Sequence, residues 1–583
     1  MKTKIYFQVL IAVLLTGEIQ NANSQSPAWQ WANSIGSIGA NIAYSVTSDA
    51  DGNVYTTGFF VNTVDFDPGP NVFNLSSNTG SYDVFILKLD GAGNFVWAKQ
   101  FSGSGNDVAN KIISDDLNFI YLTGWFSGMT DFDPGSGVTN LTAAGGGNDI
   151  FVTKLDSAGN LVWAKAMTGF GLNGDDEGRG IALDGSYSVY TTGSFHGKVD
   201  FDPGNAINFI TTNGNVTADV FISKLDSAGN FVWARSMGGV NEDKANDITI
   251  DASGSIYTIG EFQVLGDFDP DTTVYYQLLS SGSDDIFISK LNRGGNFVWA
   301  KTIRGLGQDN GTSIVTDAVG NVYTTGSFQG TDDFDPGNAI VQLTAAGSTD
   351  QYISKWDSAG NYMWAKAIGG SGSDVGKAIA IDLVSGSLYT GGFFSDSVDF
   401  NPAAAVHRLI SQGGFDAFAS AYDSNGNFLW AKEMGGTDGD VLTDVSSDSY
   451  GNPVAAGYYY SASISFDGNT LTNSDVTTNT VDMFVSKIDI TTTGIIAVQN
   501  NFKNEIIISP NPSKDKVTIQ LLNFEISYDT KLIVLNSVGQ KVMEISISNP
   551  LTNVDLGNLS KGIYLIALTR PDGKTLSNKV VVE

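Results

Sequence analysis

The sequence predicts an all-β protein: a seven-bladed β-propeller with repeats of about 66 residues, its N-terminal strand closing the last blade, followed by a small Ig-like β-sandwich. Three observations carry this expectation. A Trp-Ala pair recurs at Trp31, Trp97, Trp163, Trp233, Trp299, Trp364 and Trp430, at spacings of 66, 66, 70, 66, 65 and 66 residues. A glycine keeps the same phase at Gly58, Gly124, Gly193, Gly260, Gly326, Gly392 and Gly457, as does an acidic-aromatic segment opening at Asp83, Asp149, Asp219, Asp285, Asp350, Asp416 and Asp482. The two ends of the array are complementary. The seventh repeat has no Trp-Ala strand after Asp489, while the chain opens with an unpaired one around Trp29 to Ile35.

Each repeat reads as strands. Asn53 to Phe60 is rich in β-branched and aromatic residues and follows an Asp51-Gly52 turn. Asp83 to Leu89 and Asn94 to Lys99 are two more strands, joined by the hairpin-like Asp90-Gly91-Ala92-Gly93. Both alternate faces are apolar, which requires cover on both sides, as between neighbouring blades. The glycine inside the first of these strands marks a bend or a close backbone approach. An N-terminal strand completing the last blade would leave no open edge. The alternative, an open β-solenoid, prefers units of about 20–30 residues. A blade takes about 40–45, so the surplus of about 20 residues before the acidic-aromatic strand reads as an inserted hairpin or loop.

The Gly-Asn-Val-Tyr-Thr-Thr-Gly and Asp-x-Phe-Ile-x-Lys-Leu-Asp patterns resemble the bacterial β-propeller repeats called SBBP repeats, over most of residues 29 to 490. The resemblance implies a propeller and no particular activity.

Composition narrows the function. Glycine is 68 of 583 residues and charged residues are 16%, the profile of a folded, turn-rich chain. With 62 acidic against 31 basic residues the net charge is −31, which repels nucleic acid and anionic lipid and suits hard cations. There is no cysteine, hence no disulfide, thiol chemistry or zinc-thiolate site, and only two histidines, His196 and His407.

Lys2 and Lys4, the apolar run Ile5 to Leu15 and Ala22-Asn23-Ser24 have the order of a secretory signal peptide, with domain 1–24 removed and Gln25 first in the mature chain. As a helix that run reaches about 16 Å, roughly half the hydrocarbon core, so a membrane anchor is the weaker reading. No transmembrane helix is expected in the mature chain. Residues 25–490 form the propeller, 491–502 an uncharged linker, and 503–583 a small domain of short alternating strands. Charge follows the same boundary: the propeller and linker carry −33, the last domain +1.

That last domain holds Pro510-Asn511-Pro512, a Gly539-Gln540 turn and a Leu559 to Tyr564 segment of the form Leu-x-x-Gly-x-Tyr. It resembles the type A C-terminal sorting domain of the type IX secretion system of Bacteroidota. The resemblance implies outer-membrane translocation, with that machinery as partner through residues 503–583, followed by surface attachment or release. A plain Ig-like binding module is the alternative.

One recurrent motif suggests a ligand. Asp65-Phe66-Asp67-Pro68-Gly69 returns with Asp131 and Asp133, Asp200 and Asp202, Asp267 and Asp269, and Asp333 and Asp335. Carboxylates two apart on an extended segment share a face, which makes these ten residues candidate calcium ligands. The competing reading is turn chemistry, with Asp capping N–H groups, Pro fixing φ and Gly allowing a positive φ. Two carboxylates fall short of the six to eight oxygens calcium takes. A lysine recurs at Lys88, Lys154, Lys224, Lys290, Lys355 and Lys487, with Ala421 the exception, and is expected to pair with Asp90 and its counterparts. The repeated tryptophan reads as core, and Trp125 as a core residue with sugar stacking the alternative.

No nucleophile elbow, metalloprotease helix or phosphate loop is present. The expectation is therefore a secreted or surface-displayed binding protein, not an enzyme, with an extracellular protein or polysaccharide as ligand. A glycosidase or lyase with its site in the propeller funnel is the alternative, since paired carboxylates are abundant. A structural role in the surface layer is the third reading.

Overall fold

The Asp51-Gly52 turn forms because Asp49 Oδ1 accepts the N–H groups of Asp51 and Asn53, both at 2.9 Å, reversing the chain between Ile42–Ser48 and Val54–Phe60. The same device recurs along a computed structural model that describes residues 27–490, except 79, 171–173, 215–216, 338, 384 and 475–479. Beyond these it describes 506–509, 516–521, 531–535, 541–547, 551–559, 561–569 and 575–582. The expected signal peptide 1–24, linker 491–502, Pro510-Asn511-Pro512 and Gly539-Gln540 lie outside the described residues. The chain is all-β with antiparallel pairing in every sheet, and among the described residues no helix is long and apolar enough to cross a membrane.

Each repeat is built on four antiparallel strands. In the second these are Asp107–Ser114, Ile120–Phe126, Asp149–Leu155 and Leu161–Gly169. In the seventh, Asp440–Ser447, Pro453–Tyr459 and Asp482–Asp489 come from the repeat itself, and the fourth strand is Ala28–Ile35. That strand pairs from Ala28↔Asp489 to Ile35↔Met483. The first strands of successive repeats lie side by side, and that of the first repeat meets that of the seventh. Ser45 Oγ donates to Asp444 Oδ2 at 2.6 Å and the Val46 N–H to the same oxygen at 3.1 Å.

Apolar cores fill the spaces between repeats. One joins Trp31, Val454, Met483 and Val485 of the closing repeat to Val46, Phe60, Phe85 and Leu87 of the first, which is why both strand faces are apolar. The in-phase glycine is forced by backbone proximity. A Cβ on Gly58 would stand 1.9 Å from Ile42 O, and on Gly193 1.9 Å from Glu177 O. The cause is a β-bulge that pushes the first strand toward the second.

The repeated tryptophan works between repeats. The indole of Trp97 lies against Gly159 in the next repeat's hairpin turn, where φ is +77°, and its N–H donates to Ser157 O at 3.3 Å. Trp31 covers Gly93 in the same manner, tying the N-terminal strand to the first repeat. Trp31, Trp299 and Trp430 are buried, whereas Trp97, Trp163, Trp233 and Trp364 are half-buried.

The surplus residues form a short hairpin, Met129–Asp131 with Asn140–Thr142 in the second repeat. It pairs backward onto the preceding repeat's fourth strand, Thr130↔Gly103 and Asp131↔Ser102. The same stitch joins Thr168↔Asp200 and Gly238↔Asp267.

The C-terminal part forms two antiparallel sheets. Ile506–Ser509, Lys516–Leu521 and Leu551–Asp555 make one; Lys541–Ser546, Lys531–Leu535, Gly562–Thr569 and Thr575–Val582 make the other. Val517, Ile519, Leu532, Val534, Ile566 and Val580 share a single core.

Candidate binding site

The bulge in each first strand leaves one residue unpaired with the second strand: Tyr44, Asn110, Arg179, Asn246, Thr312, Lys377 and Thr443. Four of them bond the next repeat's bulged carbonyl. Asn110 donates to Gly178 O at 2.9 Å, Asn246 to Gly311 O at 3.0 Å, Thr312 to Gly376 O at 2.8 Å and Thr443 to Ala43 O at 2.8 Å. Tyr44, Arg179 and Lys377 depart from that pattern, and two of these three open onto one cavity.

This cavity, of about 550 Å³, spans the first three repeats and is lined by Tyr44, Phe59, Tyr82, Val108, Asn110, Trp125, Glu177 and Arg179. Phe59 and Tyr82 stack with ring centroids 4.5 Å apart, and Tyr44 lies 5.9 Å from Phe59. Burial, reinforced by Glu177, raises the Tyr44 hydroxyl above its usual pKa, so it stays a neutral donor. Arg179 grips Glu177 through Nε at 3.0 Å and Nη2 at 2.9 Å, and its Nη1 donates to Asn246 Oδ1 at 2.9 Å. The wall is thus aromatic on one side and a charge-neutral, planar hydrogen-bonding group on the other. Trp125, expected in the core, is half-buried and faces this cavity.

The ten motif aspartates lie elsewhere, two on each of five hairpins. Asp65, Asp131, Asp200, Asp267 and Asp333 each accept on Oδ1 the N–H two residues on and another eight or nine on, at 2.8–3.2 Å. Asp67, Asp133, Asp202, Asp269 and Asp335 each accept the N–H two residues on, at 2.8–3.0 Å. These are the bonds that turn chemistry requires. Among the described residues, no three acidic or histidine side chains converge as a metal site.

The repeated lysine has a different partner from the one expected. Lys224 reaches Asp184 at 3.2 Å, Lys487 reaches Asp448 at 2.7 Å and Lys88 reaches Asp49 at 3.8 Å, all in the turn between first and second strands. Asp90 is occupied by its own turn, accepting the Ala92 and Asn94 N–H groups and the Asn94 amide at 2.9 Å each. Lys88 also donates to Ser157 O of the next repeat at 3.2 Å, so it ties repeats together. His407 packs against Phe428 with centroids 4.8 Å apart, beside a second cavity of about 330 Å³ lined by Gln412, Lys432, Glu433 and Asp467. His196 bonds Asp175 O through Nδ1 at 2.9 Å.

A second acidic series sits buried at the seams. The aspartate opening each third strand faces another at the start of the next repeat's first strand: Asp83 with Asp107, Asp149 with Asp176, and Asp219 with Asp243. A Cβ on Gly238 would stand 2.8 Å from Asp243 Oδ2 and 2.9 Å from Asp219 Oδ1, so the two carboxylates converge. Burial pushes Asp107, Asp176 and Asp243 up to about 8 and Asp83 and Asp149 up to about 6. At the seam with the first repeat the second place is held by Asn41, a neutral isostere of the protonated acid.

Comparison with known proteins agrees with this architecture. Residues 507–583 match the family described as "Secretion system C-terminal sorting domain", and residues 96–132 match "Beta-propeller repeat" of the SBBP type. The chain is 23% identical over 76% of its length to an uncharacterized WD repeat-containing protein, L264, of Acanthamoeba polyphaga mimivirus, covering 37% of that protein. It is 23% identical over 37% of its length to the regulatory protein FlaEY of Caulobacter vibrioides, covering 22% of it. The chain therefore spans about a third and about a fifth of these relatives. Among solved structures it aligns loosely with PorZ, a surface component of the type IX secretion system of Porphyromonas gingivalis, at 12% identity and TM-score 0.24, covering 93% of this chain and 81% of that one. It aligns with Sqt1 of Chaetomium thermophilum at 10% identity and TM-score 0.32, covering 80% and 98%. With a type IX sorting domain at residues 507–583 and an SBBP-type repeat at 96–132, the chain is a β-propeller protein that this system exports to the cell surface or secretes.

Proposed function

We propose that the exported chain is a binding protein, not an enzyme. In this reading residues 25–490 are a seven-bladed propeller closed by the N-terminal strand, preceded by a signal peptide at 1–24. An Ig-like sandwich at 503–583 follows a linker at 491–502 and engages the secretion machinery. The ligand docks at the mouth formed by the first strands, in the cavity lined by Tyr44, Tyr82, Trp125 and Arg179. One observation carries the choice: the sole carboxylate lining that cavity, Glu177, is held by two bonds from Arg179. Carboxylate-pair glycosidase chemistry needs a second acid at a set distance. Aromatic faces with a few convergent polar groups are instead the composition of a recognition site.

The test compares the wild-type chain with Trp125→Ala on immobilised polysaccharides and extracellular-matrix proteins, with product assayed in the supernatant. Retention lost in the variant, with no product released by either protein, supports the reading. Product released by the wild type overturns it.

A further inference from the structure

We propose that the ligand is a neutral saccharide chain, laid along an arc of aromatic side chains that runs well beyond the cavity; the inference rests on the binding site described above. The residue after the in-phase glycine is Phe59, Trp125, Ser194, Glu261, Ser327, Phe393 and Tyr458 in the seven repeats. Seven equivalent places thus divide in two. Four consecutive repeats, the sixth, seventh, first and second, present aromatic rings, and the other three present Ser, Glu and Ser.

A second aromatic residue thickens the arc at three of these places. Phe415 lies 4.9 Å from Phe393, Tyr460 5.9 Å from Tyr458, and Tyr82 4.5 Å from Phe59, by ring centroids. Successive repeats are joined along it. Phe415 packs on Gly439, whose carbonyl accepts the Tyr460 N–H at 2.9 Å. Tyr44 lies within electrostatic range of both Tyr460 and Tyr82, and Trp125 shares the cavity with Tyr44. Tyr82 and Tyr460 are exposed, Tyr44, Trp125, Phe393, Phe415 and Tyr458 are half-buried, and Phe59 is buried against Tyr82 and Tyr44, so in the first repeat those two tyrosines supply the open ring surface.

Sugar rings offer an apolar C–H face and a rim of hydroxyls. The first matches aromatic faces. The second matches Asn110 and the Glu177–Arg179 pair, which together donate and accept in one plane. Charge selects among saccharides. The propeller and linker carry −33, and Arg179, the one cation lining the cavity, is already neutralised. A uronate or sulfated chain would meet a repelling field in the cavity, eased along the arc only by Lys377, whose ammonium stands 5.8 Å from the Phe393 ring centroid. An extended peptide fits less well. It would need free backbone groups to pair with, and the bulged carbonyls of Ala43, Gly178, Gly311 and Gly376 are taken by side chains of the preceding repeat.

The experiment titrates the full chain with neutral gluco-, manno- and galacto-oligosaccharides of two to eight units, and with oligogalacturonate and oligoalginate, by calorimetry and tryptophan fluorescence. The expected result is affinity for a neutral series that grows with length. Trp125→Ala and Tyr44→Ala weaken it about tenfold at every length, and Tyr460→Ala weakens only the longer oligomers. Trp125→Phe keeps a ring face and retains most of the affinity, which separates stacking from misfolding. Binding confined to the anionic series, dependent on Trp125, overturns the neutral-saccharide assignment and leaves the site standing. Neutral binding indifferent to both Trp125 and Tyr44 overturns the site itself. No saccharide binding, with Trp125-dependent retention on matrix protein, overturns the ligand class alone.

Discussion

The ammonium of Lys111, in the second repeat, lies 3.0 Å from Asp444 Oδ1 in the seventh, reaching past the first repeat altogether. Burial works against its charge, yet Asp444 and then Asp247 of the fourth repeat outweigh burial and hold its pKa above the usual lysine value. Asp444 and Asp247 each cap the following repeat, accepting Ser45 Oγ at 2.6 Å and Ser313 Oγ at 2.8 Å. One cation thus serves two buried carboxylates contributed by repeats far apart in sequence. Lys111→Met leaves both without it and is expected to cost about 3 kcal/mol, read from urea denaturation. A loss below about 1 kcal/mol would show that the ammonium is dispensable.

The seam acids make stability depend on pH. Asp107, Asp176 and Asp243 sit near 8 in the folded chain and Asp83 and Asp149 near 6, against about 3.9 unfolded. The fold therefore favours their protonated forms. That contribution is complete below about pH 4 and drains away as pH rises through 6 to 8. The melting temperature should fall from pH 5 to pH 8, and Asp107→Asn, the residue type already found at Asn41, should flatten part of the slope. A melting temperature constant across that range contradicts the account.

Gly58→Ala places a Cβ 1.9 Å from Ile42 O, a backbone atom that a side-chain rotation cannot relieve. A loss of at least about 3 kcal/mol is expected, whereas Gly185→Ala, where no atom lies within 4 Å and φ is not in the left-handed region, should cost far less. Equal effects by chemical denaturation would refute the close-approach explanation.

Trp31→Ala removes a buried indole from Gly93 and its bond to Gly91 O at 3.2 Å. About 3 kcal/mol is expected, with a single unfolding transition because the seam joins the last repeat to the first. Two separated transitions would mean that the closing strand acts locally.

The repeats and the strands were legible because each rests on a periodic signal, and the pairing of the N-terminal strand because the two ends of that period are complementary. Gly58 and its counterparts announced a backbone constraint, though the bulge that imposes it carries no residue signature. The lysine partner was misread because Asp90 lies only two positions away in sequence. Strand register instead sets Lys88 opposite Tyr55, six residues after Asp49, and Asp90 is spent on its own turn. The cavity was illegible as a unit. Tyr44, Tyr82, Asn110, Glu177 and Arg179 come from three repeats, and only alignment on the bulge reveals that Tyr44, Arg179 and Lys377 depart from the Asn and Thr found elsewhere. Trp125 looked like core because its equivalents are small, charged or aromatic without order until the repeats are set in a ring.

The pairing of Ala28 with Asp489 has a consequence in time. The seventh repeat gains its fourth strand only when a segment from the start of the chain meets one emerging after almost the whole array, a contact of very high loop entropy. Until then the seventh repeat has an open edge and the first lacks the indole that covers Gly93. That docking is thereby placed after synthesis of the array, and a chain cut short before Asp482 leaves its opening strand without a place to dock.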